Sequence, residues 1–124
     1  MEKKIVDISI ELADFLSSKK AEDITVLEMS KTTIADIFIL VTSNSFVHSK
    51  ILEDYTQEFL ETRGYRRLNR PNMFPENPWI LVDFGEIVIN IFVKEAREYY
   101  NIEKLWYDAK KVYEIKESKV DTKE

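Results

Sequence analysis

The stretch that decides the fold is WILVDFGEIVINIFVKEAREYYNIEKLW, Trp79 to Trp106. Trp79 to Phe84 reads as a strand, apolar until Asp83. Gly85-Glu86 supplies a tight turn, because glycine reaches positive φ without steric cost. Ile87 to Val93 is the return strand, and Asn90 alone interrupts its apolar run. Ile80, Val82, Ile89 and Ile91 are the expected sheet core. Lys94 to Tyr100 reads as a short helix that Asn101 ends, with a further helical turn over Ile102 to Trp106. An apolar hairpin thus feeds a charged, aromatic-rich segment.

Upstream, Ile5, Ile8, Leu12, Phe15 and Leu16 recur at helical spacing and predict an amphipathic helix over Lys3–Ser18. Asp23–Met29 and Asp36–Thr42 read as two strands joined by a short polar turn, hence antiparallel. Ile37 to Val41 has no polar break, which predicts a strand covered on both faces. A second helix follows to about Thr62, capped by Ser43, Asn44 or Ser45 and ended by Gly64. Val47, Ile51, Tyr55 and Phe59 are its expected inner face, with Leu52 and Leu60 beside them. Tyr65–Asn69 reads as a short third strand, and Pro71, Pro75 and Pro78 then enforce a loop.

The order predicts one α+β domain over residues 1–116: a mixed sheet of about five strands flanked by helices, with residues 117–124 as a disordered tail. The length, 124 residues, suits one domain, and the 44% apolar content suffices for one core. Cysteine is absent, which removes disulfides and thiolate chemistry. One histidine, His48, excludes a multi-histidine zinc site. A net charge of −5 argues against DNA binding and favours a basic partner. No run approaches the roughly 20 apolar residues of a membrane span. The charged N-terminus lacks a secretory h-region, so a cytoplasmic location is expected.

Chemistry has few footholds. Asp36, Asp83 and Glu86 could serve a metal or act as bases, but as turn acids they would bond backbone amides. A nucleotidyltransferase would need a Gly-Ser turn and an Asp-x-Asp pair for Mg²⁺; here the turn has Ser43 without glycine, and no such pair follows. His48 lacks an orienting acid and reads as structural. Ser43-Asn44-Ser45 could hold an anion but more simply caps its helix. Arg63, Arg66, Arg67 and Arg70, with Tyr65 among them, form a basic cluster that is either solvated or touches RNA. Ala96, Arg97, Tyr99, Tyr100, Leu105 and Trp106 carry more aromatic area than a short helix needs, as interface hot spots do. Tyr99, Leu105 and Trp106 could equally cap the core.

These residues resemble a family. Trp79-Ile80-Leu81-Val82-Asp83-Phe84-Gly85, Glu95-Ala96-Arg97-Glu98-Tyr99-Tyr100 and Glu103-Lys104-Leu105-Trp106 are similar to the bacterial ribosomal silencing factors, the RsfS or Iojap family. Asp23-Ile24, Asp36-Ile37 and the Thr42–His48 turn agree. The resemblance implies a fold similar to nucleotidyltransferases without their catalytic residues, no enzymatic activity and no cofactor. It implies binding to the large ribosomal subunit through ribosomal protein fourteen of that subunit. That binding blocks joining to the small subunit and represses translation when nutrients are scarce. It places the partner at Trp79, Leu81, Asp83, Asn90, Phe92, Glu95, Arg97, Tyr100 and Trp106, while a peripheral rRNA contact by Arg66 or Arg67 is read from the basic cluster and not from the resemblance. Ser43 stands where members commonly have Gly, Asn90 where they have His, the proline-rich loop is unlike theirs, and the chain runs on past Trp106. Two other readings compete: a nucleotide-binding enzyme of the nucleotidyltransferase type, and a homodimeric adaptor pairing through apolar surface.

Overall fold

In a computed structural model of the chain, which describes residues 2–29, 35–100 and 109–117, two strands with no exposed residue lie at the centre. They are β2 (Ile37–Ser43) and β4 (Ile87–Val93), paired in parallel from Ile37↔Ile87 to Ser43↔Val93. The remaining elements, in chain order, are α1 (Glu2–Ser18), β1 (Glu22–Glu28), α2 (Phe46–Glu61), β3 (Trp79–Asp83), α3 (Lys94–Tyr100) and β5 (Lys110–Ile115). The sheet order is β3-β4-β2-β1-β5, and every pairing except β2–β4 is antiparallel. The expected five-stranded mixed α+β sheet is therefore present.

The unbroken apolar runs follow from this position. A central strand needs cover on both faces. Ile37, Ile39 and Val41 of β2 and Ile87, Ile89 and Ile91 of β4 pack with Leu12 and Leu16 of α1 and Leu52 and Leu60 of α2. Ile80 and Val82 join the same core, as expected. Phe38, Leu40, Val88 and Phe92 face the other way, packing with Ala96 of α3. Phe15 joins the two long helices, edge-on to Tyr55 at 5.5 Å and stacked on Phe59 at 5.3 Å.

The turns follow their local signals. Ser45 caps α2, its hydroxyl accepting from His48 N at 3.0 Å. His48 Nδ1 accepts from Asn44 N at 2.9 Å, which leaves Nε2 to donate to Lys19 O at 2.9 Å. That is the structural role expected of it. Gly64, at φ +92, ends α2, and Tyr65 N returns to Leu60 O at 3.0 Å. Gly85 takes φ +84, Asp83 Oδ1 accepts from its N–H at 2.8 Å, and Glu86 O accepts from Asp36 N and Ile37 N.

Three expectations are corrected. Val47 and Ile51 are 71% and 44% exposed. Phe59 is buried as expected, with Leu52 and Leu60 beside it, but the rest of the buried face of α2 is polar: Ser49, Glu53 and Thr56. Two of its polar residues have buried partners: Ser49 Oγ lies 2.5 Å from Ser43 Oγ, and Glu53 Oε2 lies 2.9 Å from Arg67 Nη1. Tyr65–Asn69 is not a strand. Leu68 N donates to Asp83 O at 2.7 Å, but the other ties to β3 come from side chains. The fifth strand is β5, on the outer side of β1. Its lysines and Glu114 disguise it, as edge strands often carry charge against aggregation. Lys116, 2.7 Å from Glu114 and 3.8 Å from Asp23, ties the end of β5 to β1 and, chiefly by its hydrogen bond, holds the Glu114 carboxyl below the usual range. Residues 30–34 of the expected turn at 30–35, the helical turn at 102–106 and residues 118–124 of the expected tail at 117–124 lie outside the described residues.

Glu53 is fully buried and Arg67 nearly so. Removing one member of such a pair strands the other charge, whereas replacing both by apolar groups is nearly neutral. Arg67→Met is expected to destabilise the fold by about 3 kcal/mol, read from the urea midpoint, and Glu53→Met with Arg67→Met to recover most of it. An unchanged midpoint for the single variant would show that the pair is not structural. Gly85→Ala is expected to cost about 1 kcal/mol from left-handed backbone strain alone, since an added Cβ would meet Leu68 Cδ1 at an ordinary 3.5 Å.

Candidate partner-binding face

β3 alternates. Ile80 and Val82 are buried against the long helices, while Trp79 and Leu81 are 39% and 45% exposed on the opposite face. This period of two is what a strand with one covered face requires. The register sets Trp79 opposite Phe92 and Leu81 opposite Asn90.

The Trp79 ring is held on several sides. It lies 5.0 Å from Phe92 and 5.8 Å from Tyr100, and its Nε1 donates to Asn90 Oδ1 at 2.9 Å. That bond accounts for the one polar residue in β4. A buried indole N–H needs an acceptor, and a buried amide needs a partner. Tyr99 meets Tyr100 edge-on at 5.0 Å and is 81% exposed. The core-capping alternative is therefore corrected for Tyr99, which projects outward. Trp79, Leu81, Tyr99 and Tyr100 together form an exposed aromatic face with its central ring already oriented.

The residues expected to meet a partner divide by depth. Trp79, Leu81, Glu95 and Tyr100 are exposed. Asp83 is half buried and serves the hairpin turn. Asn90 and Phe92 are buried and support the Trp79 ring from beneath. Arg97 is corrected from a surface anchor to an internal tie. It is buried, and its guanidinium donates to Asp23 O, to Thr42 Oγ1 at 2.9 Å and to Thr25 Oγ1 at 3.2 Å. A buried guanidinium needs such acceptors, and β1 supplies one where its register shifts between Glu22 and Thr25. Trp106 lies outside the described residues.

The proline loop borders this face. Asn72 Oδ1 accepts from Asn77 Nδ2 at 2.7 Å, Asn77 Oδ1 accepts from Trp79 N at 3.0 Å, and Pro78 O accepts from Val93 N at 3.1 Å. Asn72 N reaches back to Glu53 Oε2 at 2.8 Å. The loop is thus fixed, yet it holds Met73 and Phe74 at 82% and 72% exposure. Both border an open groove of about 420 Å³ that also includes Arg70, Trp79 and Leu81. Sequence reasoning missed Met73 and Phe74; the available signal was two large apolar residues flanked by prolines.

The residues of a nucleotide site are not brought together. Asp36 precedes the first residue of β2, and Asp83 pairs with Val88 near the same end of the sheet. Ser43 ends β2 at the other end, about 20 Å away at the strand rise of roughly 3.3 Å per residue. Among the described residues no cluster of three or more His, Asp or Glu is placed to hold a metal ion. Among them, too, no helix is long and apolar enough to cross a membrane.

Comparison with known proteins agrees with this geometry. The family model described as "Ribosomal silencing factor during starvation" matches residues 2–124. The chain is 34% identical over 109 residues to the ribosomal silencing factor RsfS of Bacillus subtilis, covering 87% of this chain and 89% of that protein. It is 30% identical over 105 residues to the chloroplastic protein Iojap of Arabidopsis thaliana, covering 84% of this chain and 43% of that one. A crystal structure of a Chromobacterium violaceum protein superposes with a TM-score of 0.72 at 29% identity, covering 86% of this chain and 87% of that one. One from Bacillus halodurans gives 0.67 at 27% identity, covering 84% and 94%. The match spans the hairpin, the aromatic face and both flanking layers, and the chain belongs to the ribosomal silencing factor family, RsfS.

Proposed function

We propose that the chain binds the large ribosomal subunit in the cytoplasm through ribosomal protein fourteen of that subunit. Bound there, it sterically blocks joining of the small subunit and represses translation under nutrient limitation. The observation that carries this reading is Trp79: a ring packed by Phe92, Asn90 and Tyr100 but left 39% exposed. An aromatic side chain fixed before binding loses little freedom on docking, which is the physical basis of a hot spot. The net charge of −5 favours encounter with a basic ribosomal protein. Peripheral contact with rRNA belongs to the same reading. Obstruction needs only a rigid body at the right place, and the docking of a fixed aromatic face supplies one.

Trp79→Ala is expected to weaken co-sedimentation with large subunits at matched salt by ~2 kcal/mol, about thirtyfold. Unchanged co-sedimentation would remove this face from the interface. If light scattering instead shows that Trp79→Ala dissociates a dimer while ribosome binding persists, the face belongs to a second copy of the chain. Adding the wild-type protein to mixed subunits should lower the fraction of joined ribosomes in a sucrose gradient. No change in that fraction would refute the blocking role.

A further inference from the structure

Residues 65–70 run beside the free edge of β3 with alternating exposure. Arg66, Leu68 and Arg70 are exposed, whereas Tyr65 and Asn69 are half buried and the Arg67 side chain is almost fully buried. The inward arginine and asparagine are fully engaged. Arg67 meets Glu53 at 2.9 Å and Gln57 Oε1 at 3.0 Å, and both Arg67 and Asn69 donate to Leu81 O. Their bonds fix the backbone that carries the outward set.

The chain has five arginines. Arg63 lies 3.5 Å over the Phe59 ring and 3.9 Å from Glu11, Arg67 is paired with Glu53, and Arg97 is buried. Arg66 and Arg70 are exposed and make no ion pair among the described residues. Four residues separate them by at most about 14 Å of chain. They form a cationic edge on a protein whose net charge is −5. Arg70 also borders the groove that presents Phe74.

We infer that this edge, Arg66 and Arg70 with Phe74 beside them, binds the phosphate backbone of RNA next to the protein-binding face. The inference rests on the ribosome reading above and assigns its peripheral rRNA contact to named side chains. The guanidinium fork matches phosphate geometry, and an exposed ring beside an arginine offers a stacking surface for an unpaired base. A net-negative body approaching a polyanion is repelled over most of its surface. Binding to RNA is therefore confined to sites where cations project unpaired. A fixed edge also holds the two charges in place before docking, so less side-chain and backbone freedom is lost.

The test measures large-subunit binding against salt concentration for the wild type, for Arg66→Gln with Arg70→Gln, and for a control pair, Lys110→Gln with Lys111→Gln, on β5. Removing one phosphate-bound guanidinium should make the slope of log affinity against log salt shallower by roughly 1, so the arginine pair should change it by roughly 2. The lysine pair should leave it unchanged. Hydroxyl-radical footprinting of the rRNA should show protection by the wild type that is absent with the arginine variant. An unchanged slope and footprint with normal binding would overturn the RNA interaction while leaving the ribosome reading intact. Weaker binding with an unchanged footprint would assign the edge to an acidic protein segment and overturn the RNA interaction too. Equal slope changes for both pairs would reduce the effect to net charge and overturn it likewise. A wild type that fails to sediment with large subunits would refute the ribosome reading, and this inference with it.

Discussion

Everything in this molecule depends on the parallel pairing of β2 with β4. Both strands are buried along their whole length, so neither face of the central sheet can meet water. A parallel pair also needs a crossover, since a tight turn cannot join strands running the same way. The chain meets both demands with one excursion. From the end of β2 it passes through α2, the proline loop and β3 before entering β4. α2 covers one face with α1, while β3 extends the sheet beyond β4 and carries the exposed Trp79 and Leu81.

Polar residues buried along that excursion give it a single conformation. The Glu53–Arg67 pair joins α2 to the segment beside β3, and Glu53 also takes the N–H of Asn72 at the start of the loop. Asn90 holds the Trp79 indole, and Arg97 holds α3 to β1 and β2. Each joins separate elements of the fold. Such ties add little net stability, because desolvation offsets much of the attraction. Their effect here is to set where exposed rings stand. The result is a face whose central ring has little freedom left to lose on binding.

The electrostatics divide the surface by task. The chain carries a net charge of −5, yet Arg66 and Arg70 project beside the β3 edge with no ion-pair partner among the described residues. A nucleoprotein target offers basic protein and anionic RNA side by side. An acidic chain with a cationic edge carries charge of both signs for such a target.

Hydrophobic period located α1, the hairpin and the first strand pair, because those elements bury continuous apolar stripes or runs, while α2 was bounded by its serine cap and Gly64. Glycine and serine placed the turns, because φ > 0 and free helix N–H groups restrict which residues fit. Tyr99 and Tyr100 stood out in sequence as aromatic area in excess of a short helix's needs, whereas Trp79 and Leu81 were singled out by the resemblance to the family. What sequence left open was depth. Arg97 and Tyr99, two residues apart, look equally suited to a surface, yet one is buried and the other projects outward. Glu53 reads as solvated until Arg67 is seen beside it. β5 carries too much charge to read as a strand until it is seen paired with β1. Local pattern determines which elements form, because those forces act within a few residues. Which charged residues are buried depends on partners far along the chain, and only the folded sheet brings those together.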